Sequence, residues 1–261
     1  MPPGHESADP AGSLLGLDQG GFAFHSDRTM GSINILALAT LFFVGGHFLL
    51  SSRLFRRPLV ARLGARGFQA FYSLAILVAF VWMVQAYGRA APIVVWSPPS
   101  GFAWIPLIAM LPACVLVVAG LSTPNPTMVG GERLVSGATG PPVQGILTVT
   151  RHPFLCGTTL WAAAHLSVRG DLAGIVLFGG LLILSVGGMR HIDQRREADV
   201  GAAWGPVKLT TSVLPLAAAL TGRTKIDWRG IGVARLLGGL ALYGALLVAH
   251  DLVLGVSVLP V

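Results

Sequence analysis

The sequence contains six apolar stretches, and these limit the possible folds more than any other feature. A helix of roughly 20 apolar residues crosses the hydrocarbon core of a bilayer. Six segments approach that length, at residues 33–50, 68–87, 104–121, from about 150–152 to 168, 172–189 and 235–256. The sequence therefore predicts an all-α, polytopic transmembrane helical bundle of about six spans. A shorter apolar patch, 213–220, contains Pro215 and is predicted to be interfacial or re-entrant.

Composition agrees with this class, because only 11% of the residues are charged and 53% are hydrophobic. Soluble domains carry about twice that charged share. Residues 1–31 are polar and lack an apolar stretch of their own, so we interpret them as a disordered tail outside the membrane. Residues 32–258 form the predicted transmembrane domain, with a cytoplasmic or interfacial segment at about 190–230.

The basic residues predict an orientation. They cluster in the connections at 51–67 and 190–230, with Arg133 and Arg151 in or beside a third connection. The opposite connections hold only Arg28, Arg89 and Arg169. Because basic connections remain in the cytoplasm, we expect both termini of a bacterial inner-membrane protein to be periplasmic. The clustering of basic residues beside apolar spans favours membrane lipid as the partner. The sequence has no basic face with interleaved aromatic residues, so we do not expect nucleic-acid binding.

Ionisable residues inside a membrane are costly and mark functional sites. Here they are almost all histidines, and the candidate metal ligands are His47, His152, His165 and His250. Small residues precede three of them, which would let a flat macrocycle lie against the helix. Imidazole is a ligand of haem iron, so we expect haem b. The alternative is that each histidine bonds a neighbouring helix and the small residues only allow close packing.

Depth along the helices predicts which histidines meet. His47 and His152 lie near the basic side, whereas His165 is thirteen residues further along, roughly 20 Å at 1.5 Å per residue. His250 lies toward the outer end of the last span. Depth therefore pairs His47 with His152, and His165 with His250.

The segment Arg151-His152-Pro153 is predicted to open the fourth helix. A cation at a helix N-terminus opposes the macrodipole. Arg151 is understandable if it binds an anion, such as a haem propionate or a lipid phosphate, and the alternative is a snorkelling interfacial side chain. Arg151 and His152 are therefore the predicted cofactor-binding residues.

The string RHPFLCGTTLWAAAHLSVRGDL resembles the signature of the NnrU family of membrane proteins, and YGRAAPIVVWSPP at 87–99 is similar to a second family segment. The resemblance covers about residues 33–258. It implies a link to denitrification, in support of nitrite and nitric oxide reduction. It also implies similarity to the haem-b-dependent 15-cis-zeta-carotene isomerases, whose ligands correspond to His47 and His165. The isomerases have a cysteine close to the second ligand, where this chain has Ala162.

Two alternatives to a haem-dependent redox or isomerase-like protein remain open. The RHP string and Glu197 give a distant likeness to the isoprenylcysteine carboxyl methyltransferases, which implies an S-adenosylmethionine-dependent membrane methyltransferase. Arg196 stands where that family has a second glutamate. The sparse polar chemistry also fits a non-catalytic assembly or regulatory subunit of a respiratory reductase. For the first hypothesis, the substrate is expected to be a lipid-soluble small molecule.

Overall fold

The structure is a computed structural model that describes residues 19–135 and 143–258. Within these ranges the secondary structure consists of helices joined by loops, apart from one isolated bridge between Val94 and Asp171. The helices are α1 (Gln19–Ser51), α2 (Arg53–Arg89), α3 (Trp104–Ser122), α4 (Glu132–Val135), α5 (Pro153–Val168), α6 (Leu172–Val200), α7 (Trp204–Thr210), α8 (Ala217–Leu220), α9 (Trp228–Ile231) and α10 (Val233–Leu254).

In the described residues, five helices are long and apolar enough to cross a bilayer: α1, α2, α3, α6 and α10. Each contains one of the predicted spans, except that α10 ends at Leu254 instead of 256, so the all-α polytopic class is confirmed. The predicted fourth span is α5, which has 16 residues and a length of about 24 Å at 1.5 Å per residue. It is a helix as expected, but it is shorter than the roughly 20 residues of a full crossing.

Several boundaries differ from the sequence-based predictions. Helix α2 includes most of the 51–67 connection and is interrupted at Gly64, whose φ of 71° lies in a region that glycine tolerates. Helix α6 continues past the predicted end at 189 to Val200. Helix α1 begins at Gln19, so residues 19–31 are helical instead of a disordered tail. Residues 1–18 lie outside the described ranges.

The long helices pack as a row, in the order α10, α3, α5, α6, α1, α2. Glycines allow the closest approaches. A Cβ on Gly157 would lie 2.8 Å from the carbonyl oxygen of Ala113, and one on Gly239 would lie 2.6 Å from the Cα of Val115. Small residues permit such contacts between membrane helices. Helix α5 therefore lies between α3 and α6, in the middle of the row.

Contacts along α6 fix the relative depth of its neighbours. Thr158 of α5 bonds Ser185, and His165 stacks on Phe178, so α5 runs antiparallel to α6. Ser51 of α1 contacts His191, and Gly180 faces Thr40, so α1 runs parallel to α6. This register places the end of α5 and the start of α6 at one end of the row. The end of α1 and the polar extension of α6 lie at the other.

Candidate functional site

Two histidines from different helices meet at the end of α5. The ring centroids of His165 on α5 and His250 on α10 lie 6.0 Å apart, with 30° between the ring planes. This is one of the two pairs that depth along the helices predicted. Helices α5 and α10 both pack on α3, which holds them at a distance that two imidazole rings can bridge.

The hydrogen bonds of this pair fix which ring nitrogen is available. His165 Nδ1 donates to the carbonyl oxygen of Trp161 at 2.9 Å, and His250 Nδ1 donates to that of Leu246 at 2.8 Å. A carbonyl oxygen only accepts, so Nδ1 carries the proton in both neutral rings. The Nε2 of each ring then keeps its lone pair, and fixing one nitrogen in this way commonly orients a histidine ligand.

Aromatic side chains hold the His165 ring. Phe178 of α6 stacks on it with centroids 5.1 Å apart and 26° between the planes, and Trp161 lies 5.7 Å away. Small residues flank the pair: Ala162 is fully buried, and a Cβ on Gly244 would meet nothing within 4 Å. The ring is therefore restrained, and α10 has open space one and a half turns before His250.

His47 lies in a different part of the molecule. Its Nδ1 donates to the carbonyl oxygen of Phe43 at 2.8 Å, so its Nε2 also keeps a lone pair. Its ring contacts Tyr72 of α2, with centroids 6.0 Å apart. The neighbouring Phe48 packs at Gly187 of α6, whereas His165 packs at Phe178. Nine residues of α6 separate these levels by about 13 Å, so His47 and His165 do not meet in this chain.

His152 differs from the other three histidines. It is fully buried at the start of α5, and its Nε2 donates to Asp193 Oδ1 at 2.9 Å. Its Nδ1 has no hydrogen-bond partner among the described residues. Because Nε2 carries the proton toward Asp193, only the buried Nδ1 would be left for a metal. His47 and His152 also have different neighbours, so the second pair predicted from depth is not formed.

Asp193 of α6 is also the partner of the Arg151 cation. The guanidinium of Arg151 donates to Asp193 Oδ2 from Nε at 2.9 Å and from Nη2 at 2.6 Å. Both side chains are largely buried, with 11% and 15% exposed. The anion expected beside this cation is thus an internal carboxylate. The binding of a cofactor by Arg151 and His152 stays a prediction, although this geometry does not require it.

Asp193 is the residue beside the predicted site that sequence reasoning missed. Its position in the polar run after residue 189 suggested a solvated connection instead of the continued α6. The available signal was the cation at 151, because a cation at a helix N-terminus is favoured when an anion lies nearby. Glu197, one turn further on, bonds Lys208 of α7 at 3.1 Å and is exposed.

In the part of the chain that the structure describes, no three His, Cys, Asp or Glu side chains are close enough together to hold a metal ion. A haem iron takes only axial ligands from the protein. The donor set of the histidine pair, two imidazoles from two helices with an unprotonated Nε2 on each ring, is chemically suited to such a role.

Comparisons with known proteins place the chain among its relatives. The sequence profile of the family described as NnrU protein matches residues 35–258. The 15-cis-zeta-carotene isomerase of Zea mays chloroplasts is 34% identical over 82 residues, 31% of this chain and 22% of that protein. The Arabidopsis thaliana chloroplast enzyme of the same name is 33% identical over 79 residues, 30% of this chain and 22% of that protein. No solved structure matches. Because the family profile covers most of its length, this membrane protein belongs to the NnrU protein family.

Proposed function

We propose that the chain binds haem b between His165 and His250 and acts as an isomerase-like protein on a lipid-soluble molecule. The single observation that carries the proposal is the approach of the two rings to 6.0 Å from separate helices. Two imidazole rings at this separation, each with an unprotonated Nε2, are candidates to bind the same metal ion.

The surroundings suit a haem ligand pair. In the neutral tautomers set by Trp161 and Leu246, each Nε2 has the lone pair that an iron requires. Phe178 stacks on the His165 ring, and a Cβ on Gly244 of α10 would meet nothing within 4 Å. When bound, haem would supply a Lewis-acidic, redox-active iron at this position.

The isomerase part of the proposal rests on similarity. The matched region covers 22% of each curated isomerase, so the activity, the substrate and the partners of those enzymes are proposals for this chain. A lipid-soluble substrate is consistent with the position of the pair among long apolar helices. Residues of this chain would bind such a substrate through apolar contact and exclude water from it.

The proposal is tested by following cis–trans isomerisation of a cis-polyene by chromatography, with full-length protein in lipid and added haemin. We expect turnover that the His250→Ala variant loses. The control is Asp251→Ala, which removes an exposed carboxylate one residue away. Isomerisation by His250→Ala at the wild-type rate would overturn the assignment of the site. Wild-type protein that binds haem and leaves the polyene unchanged would overturn the isomerase part alone.

Two other predictions stay open beside this one. A role in nitrite and nitric oxide reduction, as a redox protein or as a subunit of a reductase, would require co-purification with such an enzyme. A methyltransferase would bind S-adenosylmethionine, and calorimetry with the purified protein tests this directly.

A further inference from the structure

A second site lies at the opposite end of the molecule from His165 and His250. Residues 186–197 of α6 line an open cleft of about 440 Å³ together with Arg151, Lys208 and Val213. Apolar side chains of Val186, Met189 and Val213 line one part of it. Charged side chains line the other, namely Arg151, Arg190, Asp193, Glu197 and Lys208. The cleft is thus amphipathic, because along α6 its lining changes from apolar at Val186 and Met189 to charged from Arg190 onward.

The charges of the lining do not cancel. Arg151 neutralises Asp193 through a contact of 2.6 Å, and Lys208 neutralises Glu197 at 3.1 Å. Arg190 forms no ion pair with another described residue, so the lining retains one net positive charge. Arg190 is exposed, and it follows directly after Met189 of the apolar part of the lining. An occupant that complements this cleft is negatively charged at one end and apolar at the other.

The position of the cleft along α6 indicates which kind of negatively charged, partly apolar molecule could occupy it. Residues 172–189 are the apolar half of the helix, and Arg190 begins its charged half. A cleft at that boundary lies at the depth where the headgroups of a bilayer meet its hydrocarbon. It also lies on the side with most of the basic residues, and such segments attract anionic lipids.

We propose that this cleft binds an anionic phospholipid, with the phosphate of the headgroup at Arg190 and the first part of an acyl chain against Val186, Met189 and Val213. This site is independent of the histidine pair. The Arg151–Asp193 pair serves as its fixed wall and orients no part of the proposed haem site.

The test is native mass spectrometry of the full-length protein. The protein is released from detergent micelles that contain equal amounts of phosphatidylglycerol and phosphatidylcholine. We expect the wild type to retain phosphatidylglycerol preferentially. Since each basic residue near the headgroups contributes about a fivefold preference, Arg190→Glu should lower that retention roughly fivefold or more. The matched control is Arg229→Glu, which makes the same charge change at an exposed residue outside the cleft.

Equal loss in both variants, or no loss in Arg190→Glu, would overturn the proposal. Soluble glycerol phosphate supplies the headgroup chemistry without a chain. Displacement of the bound lipid by glycerol phosphate at comparable concentration would overturn the lipid assignment and point to a free phosphate ligand. Failure of glycerol phosphate to compete, together with the loss in Arg190→Glu, would establish the lipid.

Discussion

Arg151 and Asp193 form a largely buried charge pair that we expect to be important for the stability of the fold. Removing one partner of a buried pair leaves the other charge without compensation, which costs about 3–5 kcal/mol. Asp193→Asn should therefore lower the stability of the protein strongly, and His152 would lose its carboxylate partner as well. The measurement is the midpoint of thermal unfolding in detergent.

The matched control for this variant is Asp199→Asn. Asp199 pairs with Arg53 at 3.8 Å, and both side chains are about half exposed. Exposed pairs contribute about 0–1 kcal/mol, so this change should be almost silent. A similar shift of the unfolding midpoint in the two variants would contradict the structural role given to Asp193.

We expect the carboxylate of Asp227 to make the stability of the protein depend on pH. Its carboxylate accepts from the backbone N–H groups of Gly145 and Gly230, both at 2.8 Å, and these hold the pKa of Asp227 below its ordinary value. A lowered folded pKa stabilises the protein above the unfolded pKa of about 3.9. That stabilisation is lost as the pH falls through the folded pKa.

The corresponding experiment compares the unfolding midpoints of wild type and Asp227→Ala between pH 6 and pH 3. The variant should be less stable at pH 6, because a helix N-cap is also lost. The difference should shrink at the acid end of the range. A difference that stays constant with pH would show that the carboxylate charge contributes nothing.

At the scale of single residues, sequence reasoning identified the histidines but could not distinguish among them. Their spacing predicted the His165–His250 pair, because depth along a helix can be counted. Protonation depends on the atom that each ring nitrogen meets, and this is set by packing. His152 bonds Asp193, forty-one residues away, and no local sequence pattern around His152 predicts that partner.

Helix α5 owes its position to glycines. Gly157 faces the backbone of α3, and a Cβ there would also lie 2.8 Å from the Val117 side chain. Gly157→Ala should force the helices apart and destabilise the protein by about 1–3 kcal/mol. The same substitution at Gly179 of α6 meets nothing within 4 Å. It should be neutral or slightly stabilising, since alanine favours helix by about 1 kcal/mol.

Thermal unfolding of these two variants measures the effect of the α3–α5 contact directly. Equal stability of Gly157→Ala and Gly179→Ala would contradict the close packing.

Apolar length predicted where the long helices lie, since a bilayer imposes that length. It could not predict the continuation of α6 to Val200 or the break at Gly64. Those depend on contacts with α7 and on backbone conformation.

For the whole molecule, the row of helices gives a specific prediction of orientation. Ser32 of α1 bonds the backbone of Ala91, and Val95 bonds Gly170, so the start of the apolar part of α1, near residue 32, lies beside the α5–α6 turn. His250 brings the end of α10 to the same end of the row. The first residues of the apolar part of α1 and the last residues of α10 should therefore lie on one side, with α5 completing a sixth crossing.

A reporter enzyme that is active only in the periplasm, fused after residue 258, tests this orientation in a bacterial host. Activity is expected, because the basic connections lie at the opposite end and should remain in the cytoplasm. A fusion after residue 225 should be inactive and serves as the control. The reverse pattern would contradict both the orientation and the crossing by α5.

The central claim is that His165 and His250 hold one haem, and a visible spectrum of the purified protein after haemin addition tests it most directly. We expect one haem per chain by pyridine haemochrome and a sharp reduced α-band. His250→Ala should lose that band, and His47→Ala should keep it. An unchanged spectrum in His250→Ala together with loss in His47→Ala, or wild-type protein that takes up no haemin, would contradict the account.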